Sequence, residues 1–207
     1  VTGWRAGDRV IVTGTRRHGS KKEESATEER TVAAIDGSRL TLDRPLTAAH
    51  AGDGDYRGEV ANLSRNVVVE SADPAGVRGH TMYHRHSAGS ISYAEFRRLG
   101  KEGVLGRYPL HYHLCGDTMR GSSVIGASIW DSANRWLTIH GTNYLVVRDC
   151  VGYQSLGHGF FLEDGTEVYN VLDRNLAVQA YQHRRQAGQA LPFDANLGCG
   201  FLFAKCL

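Results

Sequence analysis

Histidines recur in this sequence at a fixed interval of 27 residues. His86, His113 and His140 are spaced in this way, and His84 and His111 repeat the interval one dipeptide upstream. A repeated His-x-His motif places two imidazoles on the same face of a β-strand. Equivalent positions on successive turns of a coil of parallel strands stack about 4.8 Å apart. The spacing therefore predicts a ladder of histidines that lie close together in space.

Imidazole nitrogens in this arrangement predict a site for a divalent metal ion. His111 and His113 flank a single strand residue, so their Cα atoms are about 7 Å apart, and His140 would join them from the next turn. Glu163, one turn further along, would supply a carboxylate ligand or act as general base on a metal-bound water, whose pKa a metal lowers to about 7. This donor set favours zinc or another transition metal over calcium, which prefers about six to eight oxygen ligands.

Two further histidines and a structural alternative accompany this prediction. His84 and His86 would either extend the metal site or orient its ligands through hydrogen bonds. Alternatively, polar side chains stacked on one face of a β-helix would form hydrogen bonds along the ladder without any metal. The predicted metal ligands are His111, His113, His140, His86 and His84.

A second interpretation of the same face needs no transition metal. Parallel β-helices that cleave acidic polysaccharides place a base near the C5 proton of a sugar and a cation near the uronate carboxylate. Candidates for these roles are Lys101, Arg107, Tyr108 and His158. Each also has a structural explanation, since Arg107 could pair with Asp117 or Glu102, and His158, which lies between two glycines, could be a turn residue. Across both interpretations, the predicted catalytic residues are Glu163, His158 and Arg107.

The elements that must position these residues are short strands. From about residue 58 onwards, apolar strand patterns alternate with glycine turns, and each strand leads into a second one. Repeats of 23 to 27 residues, with about two or three strands per turn, predict a right-handed parallel β-helix over residues 58–207. An antiparallel sandwich would explain the strand content but not the constant interval.

The register of this β-helix follows from its inward-facing residues. Leu110 and Tyr112 align at the 27-residue interval with apolar residues of the next turn. If these side chains fill the core, the histidines that alternate with them point outward. Extending the alignment by one more turn pairs His140 with Glu163 and leaves Asp164 as an insertion.

Residues 1–57 show a different pattern. Segments at 4–12 and 29–42 alternate apolar and polar residues, and Asp36-Gly37 is a typical hairpin turn. This region is predicted to be a small antiparallel β subdomain, which makes the whole chain all-β. Residues 201–207 have the pattern of a buried strand that stops midway, so the β-helix is predicted to be truncated at its C-terminal end.

Composition and charge argue against several classes of partner. With 24 basic and 22 acidic residues the net charge is +2, which does not indicate nucleic acid, and the basic run within 16–22 is typical of a solvated loop. No apolar stretch approaches the roughly 18 residues needed to span a bilayer, and the first residues lack the pattern of a signal peptide. The cysteines show no CxxC spacing, and Cys115 and Cys150 are predicted to be free buried thiols.

Three segments of the sequence resemble a known family. They are GVLGRYPLHYHLCGD at 103–117, TIHGT at 138–142 and GHGFFLEDG at 157–165. They resemble the β-helix region shared by the cell-migration-inducing hyaluronan-binding protein, the related transmembrane hyaluronidase and the fibrocystin-like receptors, over roughly residues 1 to 180. The resemblance implies a secreted or cell-surface right-handed parallel β-helix and, in the hyaluronidase branch, binding and depolymerisation of hyaluronan, with calcium implicated. His84 and His86 replace residues expected to be apolar or small in the animal proteins, and the basic, glycine-rich style favours a bacterial member.

The motifs and the resemblance together predict an extracellular carbohydrate-active protein. It would bind a divalent metal through the histidine ladder and degrade a polysaccharide, hyaluronan-like by resemblance, either as a hydrolase or as a lyase. The alternative is a non-catalytic glycan-binding or adhesion module, in which the metal is structural or sequestered.

Overall fold

The computed structural model describes residues 1–16, 25–182 and 197–205, and strands are its main secondary structure. The chain divides into two compact units, Val1–Ser64 and Arg65–Leu207. The basic run at 17–22 and Cys206 lie outside the described residues. In the described ranges, no α-helix has the length and apolar character that a bilayer crossing requires.

The first unit is a four-stranded antiparallel sheet with the order β3-β2-β1-β4. Its strands are β1 (Arg9–Val12), β2 (Glu28–Asp36), β3 (Arg39–Leu42) and β4 (Val60–Asn62). Asp36 pairs with Arg39, and the chain reverses at Gly37, whose φ of 57° favours glycine. The Asp-Gly signal therefore marks a real hairpin. The boundary predicted after residue 57 lies in the segment between β3 and β4.

The second unit is a parallel β-helix. In chain order its strands are β5 (Val67–Glu70), β6 (Thr81–Tyr83), β7 (Ile91–Ser92), β8 (Ala94–Arg97), β9 (Leu110–Gly116), β10 (Ser123–Ile125), β11 (Ser128–Ser132), β12 (Leu137–Thr142), β13 (Val146–Arg148), β14 (Val151–Leu156), β15 (Phe160–Leu162), β16 (Val171–Asp173), β17 (Leu176–Tyr181) and β18 (Phe201–Phe203). They form three parallel sheets with the orders β16-β13-β10-β7, β17-β14-β11-β8-β5 and β18-β15-β12-β9-β6. Neighbours in each sheet come from successive turns of the chain, as a β-helix requires. The predicted all-β fold is confirmed.

Strand register places the predicted apolar residues in the core. Leu110 pairs with Leu137, and Leu137 pairs with Phe160, at the predicted intervals of 27 and 23 residues. All three side chains are fully buried in one cluster. Because side chains alternate along a strand, His111 and His113 project from the opposite face of β9. The sheet formed by β9 and β12 is therefore the platform for the histidines.

The 27-residue interval fails in the first turn of the β-helix. Met82, rather than His84, pairs with His111, which corresponds to an interval of 29 residues between β6 and β9. His86 lies beyond the end of β6, with a left-handed φ of 64°. The predicted alignment of His86 with His113 is therefore wrong, because two additional residues between these strands shift the ladder.

One indole ring determines how closely the later turns approach each other. Trp136 is fully buried and lies 5.7 Å from the ring of Phe160 in an edge-on arrangement. A Cβ atom added at Gly152 or Gly159 would overlap the Trp136 ring. Gly152, inside β14, and Gly159, just before β15, therefore allow the Trp136 side chain of the neighbouring turn to approach closely.

Two thiols lie in the same core. Cys115 and Cys150 are free and buried, as predicted. Burial raises the pKa of the Cys150 thiol to about 11. Both cysteines therefore behave as small apolar core residues.

Alanine at Gly152 is expected to destabilise the protein by about 1–3 kcal/mol, because the added methyl group must displace the buried Trp136 indole. Urea denaturation followed by circular dichroism would measure the change in the free energy of unfolding. Gly52→Ala is the matched control, since a Cβ at Gly52 meets nothing within 4 Å. Equal stability of the two variants would contradict this account of the core.

Candidate metal centre

Three histidines on β9 and β12 form a compact cluster. His113 pairs with His140 across the two strands, and His111 lies two residues before His113 on the same face. One ligand atom from each of the three lies within 4.8 Å of the others. The Nδ1 atoms of His113 and His140 are 2.9 Å apart. Ligand nitrogens around a tetrahedral zinc ion are about 3.3 Å apart, so small side-chain movements would close the cluster on one ion.

The two ring nitrogens of His111 have different surroundings. Its Nδ1 lies 3.0 Å from the carbonyl oxygen of Gly106, and this bond requires the proton to be on Nδ1. Its Nε2 is buried and has no hydrogen-bond partner among the described residues. A backbone carbonyl that fixes the tautomer of a histidine is the usual support of a metal ligand. An unsatisfied buried nitrogen lone pair at this position therefore fits a metal ion.

The electrostatic environment keeps two of these histidines neutral. Burial lowers the pKa of His111 to about 3. Burial also lowers the pKa of His113, and the neighbouring His140 lowers it further. Neutral imidazole is the form that ligates metals. Near neutral pH, neither ligand needs to lose a proton before an ion binds.

The depressed pKa of His111 predicts a pH dependence of stability for the metal-free protein. The unfolded chain protonates this residue below about pH 6.5, whereas the folded chain does not until about pH 3, so stability is present above pH 6.5 and falls as the pH is lowered. Between pH 7.5 and pH 5, this group should lower the free energy of unfolding by about 2 kcal/mol. Urea denaturation in the presence of a chelator would measure the loss. His111→Gln should reduce this loss of stability between pH 7.5 and pH 5. His86→Gln, at an exposed site, is the control and should leave the loss unchanged. An unchanged pH dependence in His111→Gln would show that His111 does not cause it.

Two carboxylates flank His140 on the side of the following turn. The Nε2 of His140 lies 3.0 Å from Asp164 Oδ2, and its Nδ1 lies 3.8 Å from Glu163 Oε2. The contact with Asp164 leaves the Nδ1 of His140 facing His113. Burial raises the pKa of Glu163, and the charge of Arg135 acts in the opposite direction. A carboxylate behind a ligating histidine and a second one beside it is an arrangement suited to metal-assisted proton transfer.

A cavity of about 310 Å³ opens onto the cluster. Besides the three histidines and Glu163, it is lined by Met82, His84, Leu105, Gly106, Arg107 and Tyr108. The ring of Tyr108 lies 4.8 Å from that of His111. The wall therefore combines apolar side chains, such as Met82 and Leu105, with the cation of Arg107.

The other predicted site residues are distributed differently. His84 lines the cavity, and its ring lies 5.2 Å from that of His113. His86 is exposed and is not among the residues that line the cavity. His158 is buried, stacks on Phe161 at 5.2 Å, and its Nδ1 accepts a hydrogen bond from the backbone N–H of Cys199. The structure thus brings His84 and Arg107 to the cluster and places His158 in the packing behind it.

Two residues of the site escaped the sequence predictions. Arg135 is buried beside Glu163, and Asp164, treated as an insertion, contacts His140. A signal for Arg135 was present, because it follows Tyr108 by the same 27 residues that separate His113 from His140. A buried arginine cannot be distinguished from a surface arginine by spacing alone.

Comparison of the sequence with known proteins identifies its family. Residues 76–195 match the family described as CEMIP beta-helix. The chain is 36% identical over 184 residues to communication mutant protein F of Dictyostelium discoideum, covering 87% of this chain and 16% of that protein. It is 32% identical over 221 residues to the human cell surface hyaluronidase CEMIP2, covering 95% of this chain and 15% of that protein.

Mouse fibrocystin-L is also similar, with 32% identity over 231 residues, 86% of this chain and 5% of that protein. The chain therefore spans only a small part of the length of these relatives. The family match at 76–195 includes β9, β12 and β15, which carry or immediately precede the histidines and carboxylates of the cluster. With more than half of its residues in that match, the chain belongs to the CEMIP β-helix family.

Proposed function

We propose that this protein degrades an extracellular polysaccharide with the help of a divalent metal ion held by His111, His113 and His140. The observation that carries the proposal is the buried, unsatisfied Nε2 of His111, whose tautomer is set by the Gly106 carbonyl. A purely structural ladder would be expected to satisfy this nitrogen, because a buried polar atom without a partner costs about 1–3 kcal/mol. Zinc or another transition metal suits three neutral imidazoles better than calcium does.

The residues around the cluster would have different roles in such a reaction. A bound ion of this type supplies an activated water and polarises a substrate oxygen. Glu163 accepts a proton at its carboxylate, for which its raised pKa brings it closer to neutral pH. In a hydrolysis, this proton comes from water and passes to the leaving sugar oxygen. In an elimination, it comes from the carbon next to the uronate carboxylate; the C–O bond at the neighbouring ring carbon breaks as a C=C bond forms, and the leaving sugar oxygen takes up the proton.

The cavity lining fits a sugar residue with an acidic group. Met82 and Leu105 provide apolar surface for the C–H face of a sugar ring, and Arg107 provides a cation for a carboxylate. His84, whose ring lies 5.2 Å from that of His113, would extend the ligand set or bind a sugar hydroxyl. The relative named as a cell surface hyaluronidase supports a hyaluronan-like glycan and an extracellular location for this chain too.

A polysaccharide screen tests the proposal. The zinc-loaded protein, the chelated protein and His140→Ala would each be incubated with hyaluronan, pectate and a neutral glucan, and products measured by size and by new reducing ends. We expect cleavage of an acidic polysaccharide only by the metal-loaded wild-type protein. Absorbance of an unsaturated uronate at the new end identifies elimination, and its absence identifies hydrolysis. Tight metal binding without any cleavage would instead support a glycan-binding module.

A further inference from the structure

We propose that Arg135 is a positioning residue, which holds Glu163 and Tyr108 in place at the wall of the cavity. This inference rests on the proposed function, because it assigns to Arg135 the alignment of the carboxylate that would transfer the proton. The assignment of the three histidines as metal ligands does not depend on the role of Arg135. Arg135 contacts both of these neighbours directly, and its proposed role in the reaction is exercised through them.

Burial makes the charge of Arg135 unusual. The residue is 1% exposed, although it carries a permanent positive charge. Its guanidinium lies between two aromatic rings, 4.7 Å from the centroid of Tyr108 and 3.9 Å from that of Phe161. A buried cation is tolerated only where paired charges, hydrogen bonds and ring faces compensate for its lost hydration. The fold therefore keeps a charge at a place where an apolar side chain would cost less.

One nitrogen of this guanidinium reaches both pocket-lining oxygens. Nη1 of Arg135 donates a hydrogen bond of 2.8 Å to the hydroxyl oxygen of Tyr108, and it lies 3.5 Å from Oε1 of Glu163. The other oxygen of this carboxylate, Oε2, is the one that lies 3.8 Å from Nδ1 of His140. Arg135 thus contacts one oxygen of Glu163, and the other oxygen of the same carboxylate lies near His140.

The backbone that carries Arg135 is itself rigidly held. Its N–H donates to Oδ1 of Asn134, and Nδ2 of Asn134 donates to the carbonyl oxygens of Lys101 and Val104. These hydrogen bonds from the buried Asn134 connect the loop before β12 to the loop before β9. The backbone from which the Arg135 side chain extends is therefore held in place, as a positioning residue requires.

The test compares Arg135→Met and Arg135→Lys in the wild-type background and in Glu163→Gln. Cobalt(II) serves as the probe, because its visible d–d absorption reports the ligand geometry, and turnover of hyaluronan is measured in parallel. We expect Arg135→Met to shift the cobalt spectrum and to lower kcat by about 10- to 100-fold, with KM little changed. Arg135→Lys should recover part of the loss. In Glu163→Gln, the change from arginine to methionine should cause much less further loss of turnover, because Arg135 acts on the reaction mainly through the Glu163 carboxylate.

Arg120→Met is the matched control. Its guanidinium also covers a tyrosine ring, that of Tyr144 at 3.6 Å, but it is exposed and does not line the cavity. It should leave both readouts unchanged. If Arg135→Met does not fold, Arg135→Lys with and without Glu163→Gln carries the same comparison.

The outcomes separate this inference from the proposed function. If the effects of Arg135→Met are equally large with and without the Glu163 carboxylate, the positioning role is overturned and a structural one is shown. The proposed metal binding and cleavage would still stand. If cobalt binds but no glycan is cleaved, the spectral comparison still decides the role of Arg135. If the wild-type protein binds no cobalt, the proposed function and the role of Arg135 both fail.

Discussion

Alanine at His113 or His140 is expected to weaken zinc binding by at least about 100-fold, because each change removes one of three nitrogen ligands. His113 and His140 are better targets than His111, whose burial makes its replacement a packing change as well. Competition with a chromophoric zinc chelator at pH 7.5 would give the dissociation constants. Circular dichroism would show that the β-helix is intact.

His86→Ala is the control for this prediction. His86 precedes His113 by the same 27 residues that separate His113 from His140, yet it is exposed and outside the cavity. Its variant should bind zinc as the wild-type protein does. Wild-type affinity in both His113→Ala and His140→Ala would place any bound zinc elsewhere and remove the basis of the proposed chemistry.

Much of the fold was predictable because a β-helix repeats the same physical requirement at every turn. Each turn must bury apolar side chains directly over those of the turn before, so Leu110, Leu137 and Phe160 recur at readable intervals. Strand alternation then directs His111 and His113 to the other face without further information. The core and the central pair of histidine-bearing strands follow from this rule alone.

The first turn was harder because loops between strands can lengthen without disturbing the core. The segment between β6 and β9 contains two more residues than the 27-residue interval allows, so His84 rather than His86 comes to lie beside His113. Equal spacing in the sequence was a coincidence for His86. Periodicity predicts register only where the paired strands extend to the residues in question.

Which residues join the site depends on the direction and burial of their side chains, and the sequence pattern does not report either. His158 and Arg135 both precede strands of the same sheet, and both are nearly inaccessible to solvent. His158 packs on Phe161 away from the cavity, whereas Arg135 reaches Glu163. The difference arises from side-chain direction at the ends of strands, where alternation no longer applies. Spacing could therefore predict that His111, His113 and His140 lie together, but not which groups pack around them.

Glutamine at Glu163 is expected to lower the kcat for cleavage of hyaluronan by about 100- to 10,000-fold, because the amide cannot accept the proton that the carboxylate takes. Zinc affinity should change by only a few-fold, since Glu163 Oε2 lies 3.8 Å from His140 while three imidazoles remain to hold the ion. Glutamine has nearly the same size and can still accept a hydrogen bond from Arg135. Size-exclusion analysis of the digested glycan, with zinc content measured on the same samples, would separate the two effects.

Glu59→Gln is the matched control, because it makes the same chemical change at an exposed residue of the first unit. It should cleave hyaluronan at the wild-type rate. If Glu163→Gln retained full activity together with its zinc, proton transfer would have to use another group on the cavity wall, and the carboxylate would be left with only the structural task of neutralising Arg135. If it lost zinc and activity in parallel, Glu163 would instead be a fourth ligand. Only loss of turnover with zinc retained assigns it the role of base.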